Sequence, residues 1–118
     1  MGEDNLVKEK SFQFALDIIR LYQYLTNEKK EFVLSKQVLR SGTSIGANIE
    51  EALSAQSKKE FIAKLNISLK ESRETQYWLK LLKESRYIQK NDLIEKSEEL
   101  SRILTSIIIS TKEKLKLL

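Results

Sequence analysis

The chain has 118 residues, 41% hydrophobic and 32% charged, with a net charge of +4 and no proline, cysteine or histidine. That length supports one domain, residues 1–118, with a modest core. Without histidine there is no imidazole base and no Glu-x-x-His di-metal site. Without cysteine there is no thiol nucleophile, disulfide framework or zinc knuckle, and three glycines are too few for a phosphate-cradling loop. No catalytic residue, metal or cofactor is expected, so the evidence for function must come from helix faces.

The start, Met1-Gly2-Glu3-Asp4, is acidic and leads into no apolar signal core, and Leu6 stands where a myristoylation motif wants Ser or Thr. The most apolar run, Ile103 to Ile109, is short and broken by Thr105 and Ser106, far below a membrane span. A cytoplasmic protein that does not enter a membrane is the expectation.

Capping signals divide the chain. Asn27, followed by Glu28-Lys29-Lys30-Glu31, ends one apolar-periodic stretch and is placed to cap the next. Ser57-Lys58-Lys59-Glu60 reads as a capping box, and Asn91-Asp92-Leu93 as a third start. These predict helices near residues 5–26, 30–55, 58–87 and 92–116. The connections are short enough to make consecutive helices antiparallel neighbours in an all-α, up-down-up-down four-helix bundle.

On a helical wheel the first helix carries two apolar stripes. Phe12, Ala15, Leu16, Ile19 and Tyr22 lie on one side, and Phe14, Ile18, Leu21 and Leu25 lie nearly opposite. A bundle helix in a monomer needs one stripe, so the second, Phe14/Ile18/Leu21/Leu25, is expected to meet another subunit. In the second helix Gly42 and Gly46 fall in the stripe of Val38, Ile45, Ile49 and Leu53. Two glycines within a helix cost about 1 kcal/mol each relative to alanine, which points to close helix packing there. The third helix is expected to bury Phe61, Ile62, Leu65, Leu69, Ser72, Gln76 and Leu79, with Ile67, Trp78 and Leu81 as a looser patch. The fourth carries one stripe, Leu93, Ser97, Leu100, Leu104, Ile107, Ile108, Thr111 and Leu115.

Charge is uneven. Residues 57–87 hold eight basic and four acidic side chains, an excess equal to that of the whole chain. Lys59, Lys70, Arg73 and Lys80 share one polar face with Asn66 and Tyr77, at helical spacing. A row of cations can neutralise successive phosphates with release of counterions, which gives salt-sensitive binding without sequence preference. Lys64 and Arg40 are candidate helpers. The same row is also what a solvated helix face looks like, with Glu74 and Glu84 beside it.

The segment Leu39-Arg40-Ser41-Gly42-Thr43-Ser44-Ile45-Gly46-Ala47-Asn48-Ile49-Glu50-Glu51-Ala52 is distinctive. With Ser57-Lys58-Lys59-Glu60-Phe61-Ile62 and the run from Ile67 to Leu79, it resembles the bacterial four-helix-bundle proteins of the 23S ribosomal RNA intervening-sequence (S23) family. The chain departs from the family pattern at Gly46, where many members carry proline. The resemblance implies a bundle assembling as a homopentameric ring, related to the accessory variability protein of retroelements, which is thought to bind nucleic acid and a reverse transcriptase.

Two readings follow. In the first, the chain is a non-enzymatic oligomeric accessory protein binding RNA or DNA through Lys59, Lys70, Arg73 and Lys80. In the second, it is an oligomeric scaffold that holds a protein partner through Ile67, Trp78 and Leu81. An enzyme is the weakest class. The adjacent carboxylates Glu50 and Glu51 project about 100° apart on a helix and do not converge on one atom.

Overall fold

A computed structural model describes residues 2–89 and 92–116. Four helices fill it: α1 (Gly2–Asn27), α2 (Leu34–Leu53), α3 (Lys58–Glu84) and α4 (Leu93–Lys116). Each packs on two neighbours, α2 on α1 and α3, and α4 on α3 and α1, in a body of 53 × 21 × 21 Å. Facing residues run in opposite chain order. Ser11 and Ile18 of α1 meet Gly46 and Gly42 of α2, and Lys10 and Asp17 meet Glu99 and Lys96 of α4.

With so few glycines, side chains and unusual backbone angles set the helix ends. After α1 the chain turns through Lys30 at φ 54°. Asn27 does not cap α2. Glu31 does so, its carboxylate accepting from the backbone N–H groups of Val33 (3.2 Å), Leu34 (3.0 Å) and Ser35 (2.7 Å). It thereby satisfies donors that a helix start leaves open. The capping box before α3 forms in a shifted version: Ser57 Oγ accepts from the Glu60 amide, while Glu60 reaches the Gln56 N–H. α3 stops at Glu84, three residues before its predicted end. Arg86 takes φ 70°, and the Arg86 and Tyr87 amides bond back to the carbonyls of Lys83 and Leu82. This is a Schellman-type ending with arginine where glycine is usual. The predicted start at Asn91 lies outside the described residues, as does Met1.

The core runs the length of the bundle through residues such as Leu25, Ile45, Leu79 and Leu104, all fully buried. Hydroxyls are threaded through it. Thr75 donates to Ser41 Oγ (2.8 Å), Ser68 to the Ile45 carbonyl (2.8 Å) and Ser72 to the Ser97 carbonyl (3.0 Å). Among the described residues no buried side-chain polar atom lacks a partner, as expected where an unpaired one would cost about 1–3 kcal/mol.

The largest departure from expectation is on α1. Phe14, Ile18, Leu21 and Leu25, assigned to a subunit interface, are 2, 0, 9 and 0% exposed and form α1's contribution to the chain's own core. Ile18 sits against Gly42, where an added Cβ would come within 2.8 Å of its Cγ1. The stripe left outside is the other one, with Phe12 58% and Ile19 39% exposed. Gly46 approaches the backbone of Ser11, where a Cβ would lie 3.5 Å from the carbonyl oxygen. Leu53 leaves the core stripe of α2 and is exposed, and Gln76 is half-buried. Ser68, Thr75 and Leu82 fill core positions on α3 that the apolar pattern passes over.

Candidate nucleic-acid interface

α3 turns Ser68, Ser72 and Thr75 inward, and the 100° step per residue then fixes what points out. Lys59, Lys70, Arg73 and Lys80 are all exposed. At 1.5 Å per residue the row from Lys59 to Lys80 spans about 32 Å, with Lys70, Arg73 and Lys80 within the last ~15 Å. Among the described residues none of these four cations makes an ion pair.

The two candidate helpers differ from them. Lys64 bonds Glu51 of α2 at 2.7 Å, and that carboxylate raises the ammonium above its ordinary pKa. Arg40 of α2 pairs with Glu71 (3.4 Å) and Glu74 of α3. These pairs tie α2 to α3. Arg40 also neutralises carboxylates beside the row, so its charge is already engaged. Glu74 is held below the usual carboxylate range, chiefly by the Trp78 Nε1–H that donates to it (3.0 Å) and also by Arg40. Burial pushes Glu71 up, and the neighbouring Glu74 adds to that.

Trp78 in turn meets Tyr77 edge-on, ring centroids 5.2 Å apart and planes at 66°. Tyr77 is exposed, between Arg73 and Lys80 in the row. On the α4 side Arg73 borders a groove that also takes in Ser101, Arg102, Thr105 and Glu113. Arg102 extends the basic surface across the α3–α4 seam. Sequence reasoning missed it because a helical wheel relates residues of one helix, and Arg102 reaches this groove by packing of two.

The remaining candidates separate from this face. Gly42 and Gly46 lie at the α1–α2 contact, where Ile18 occupies the space a Cβ on Gly42 would need and Ser11 would lie in close contact with one on Gly46. Glu50 and Glu51 diverge: Glu50 reaches Lys8 of α1 at 4.0 Å and Glu51 reaches Lys64 of α3. Among the described residues no group of three or more Asp, Glu, His or Cys could hold a metal ion, and no helix is long and apolar enough to cross a membrane.

Residues 3–107 match the model of the family described as 23S rRNA-intervening sequence protein. Among solved structures, the chain is similar to a protein of unknown function from the S23 ribosomal protein family of Bacteroides thetaiotaomicron. The two are 56% identical with a TM-score of 0.88, over 90% of this chain and 97% of the other. Comparison with curated proteins finds no match.

Proposed function

Because the chain belongs to the 23S rRNA-intervening sequence protein family and is a non-enzymatic, small helical protein, we propose that it is a cytoplasmic accessory protein that binds RNA or DNA. Lys59, Lys70, Arg73 and Lys80 contact the phosphates. One observation carries this reading: the four cations line one exposed face of α3 at helical spacing together with Tyr77, and among the described residues no carboxylate pairs with them. An antiparallel bundle closing into a homopentameric ring is part of the same proposal. The opposed order of facing residues supports the first half, and the uncovered Phe12/Ile19 stripe supports the second. In a ring, copies of the row add their contacts and their fields.

The second reading, a ring that holds a protein partner such as a reverse transcriptase, is favoured by exposed Ile67 and, about three to four turns further along α3, half-buried Trp78 and Leu81. Fluorescence anisotropy of labelled oligonucleotides across a salt series separates the two, with assembly checked by light scattering. Four phosphate contacts on a single strand give log affinity a slope of about −3 against log salt. Replacing Lys59, Lys70, Arg73 and Lys80 together by Glu is expected to abolish binding and leave helicity and mass unchanged. Binding that survives this change at physiological salt would remove the row as the site.

A further inference from the structure

Resting on the reading of this face as a phosphate-binding row, we infer that its ligand is a single strand, and that Tyr77 takes an unpaired base. Three observations place a base there. Tyr77 is 56% exposed although it stands in a row of charged side chains on a helix. Arg73 lies four residues before it and Lys80 three residues after it, so cations bracket the ring within about a turn on each side. The ring is also braced: Trp78 meets it edge-on at 5.2 Å, Trp78 Nε1–H bonds Glu74, and Glu74 is paired with Arg40 of the neighbouring helix. An exposed aromatic ring held in one orientation loses little freedom when a base stacks on it, and base–aromatic stacking is indifferent to sequence.

Duplex would use this face less well. Its bases are already stacked on one another, so the ring would meet sugar and phosphate and contribute little. A single strand can turn one base onto Tyr77 while its phosphates on either side meet Arg73 and Lys80, with Lys70 one turn further back. Lys59, about 16 Å from Lys70 with no aromatic side chain between them on this face, adds a separate phosphate contact. The basic stretch from Lys70 to Lys80 is therefore the compact part of the site.

The test measures anisotropy of the full chain with three labelled probes of equal length: a single-stranded oligonucleotide, its duplex, and a single strand carrying abasic sites throughout. Tyr77→Ala is expected to weaken single-strand binding about tenfold while leaving duplex and abasic binding unchanged. Tyr77→Phe, which keeps the ring, is expected to bind as the parent does, and circular dichroism of both variants checks the fold. Equal loss on all three probes, or no loss on the single strand, overturns the role of Tyr77. In either case the phosphate reading stands, provided binding still depends on the four cations. No binding of any probe by the parent chain at low salt overturns both.

Discussion

The two sides of α3 are built on different terms. Toward α2 and α4 its hydroxyls are individually matched: Ser68 to a carbonyl of α2, Thr75 to Ser41, Ser72 to α4, with Leu65, Leu79 and Leu82 buried around them. Outward, four cations stand without ion pairs among the described residues, beside one exposed ring. A helix that only had to hold the bundle would gain nothing from that outer row. Like charges spaced along one face repel, and Glu71 and Glu74, the carboxylates beside Lys70 and Arg73, are paired with Arg40. The inner side is thus accounted for by folding, and the outer side is where the proposed phosphate contacts lie.

The largest expected effects separate the two sides most cleanly. Leu79→Ala removes a fully buried side chain and should lower stability by about 2–5 kcal/mol. The salt dependence of nucleic-acid binding should be unchanged in whatever protein remains folded. Arg73→Glu should do the reverse, moving stability by no more than about 0.5 kcal/mol and weakening binding at every salt concentration. Denaturant melts and anisotropy on both variants check the pair. Should Arg73→Glu unfold the chain instead, the outer side would be structural and the contrast would collapse.

A smaller effect concerns how α2, the partner of α3's inner side, is started. Glu31 is 8% exposed. Burial alone would raise its carboxyl, but the amides of Leu34, Ser35 and Val33 outweigh that and hold it below the ordinary value. A depressed carboxylate contributes stability that is present above the unfolded-state pKa and is lost as pH falls through the folded one. Glu31→Gln should therefore cost roughly 1 kcal/mol near neutral pH, the size of a lost cap. The gap to the parent should close as the parent's own carboxyl is protonated. Thermal melts between about pH 7 and about pH 3 follow it. A gap that stays constant across that range would mean that the charge of Glu31 does not cap α2.

These cases also show what the sequence could reveal. Apolar spacing and the Ser57-to-Glu60 box were enough to locate four helices, and spacing alone put Lys59, Lys70, Arg73 and Lys80 on one face, because both are properties of a single helix. Properties of packing were not legible. A wheel finds two stripes on α1 but not what covers them, so it sends Phe14, Ile18, Leu21 and Leu25 to a partner although they are buried within the chain, where α1 packs on α2 and α4. Searching for glycine at helix ends cannot find Lys30 or Arg86, whose positive φ is imposed by the bonds around them. Glu31, in a run of charges, reads as solvated until its carboxylate is seen folded back onto three amides. Arg40 reads as one more cation for phosphate because its two carboxylates belong to another helix.

Arg40 gives the smallest effect and the sharpest distinction between the sides, since it sits where they meet. As an exposed ion pair it should contribute only about 0–1 kcal/mol, so Arg40→Ala ought to melt close to the parent. Binding should nonetheless weaken, and two mechanisms would produce that loss. Arg40 could contact phosphate itself, or it could shield the row from Glu71 and Glu74. Adding Glu74→Gln to Arg40→Ala tells them apart, because the amide can still accept from Trp78 but carries no charge to repel a phosphate. If shielding is its role, the double variant recovers much of the affinity lost in Arg40→Ala. If the double variant binds as poorly as the single one, Arg40 belongs with the outer row, and the boundary between α3's two sides lies one helix further into α2.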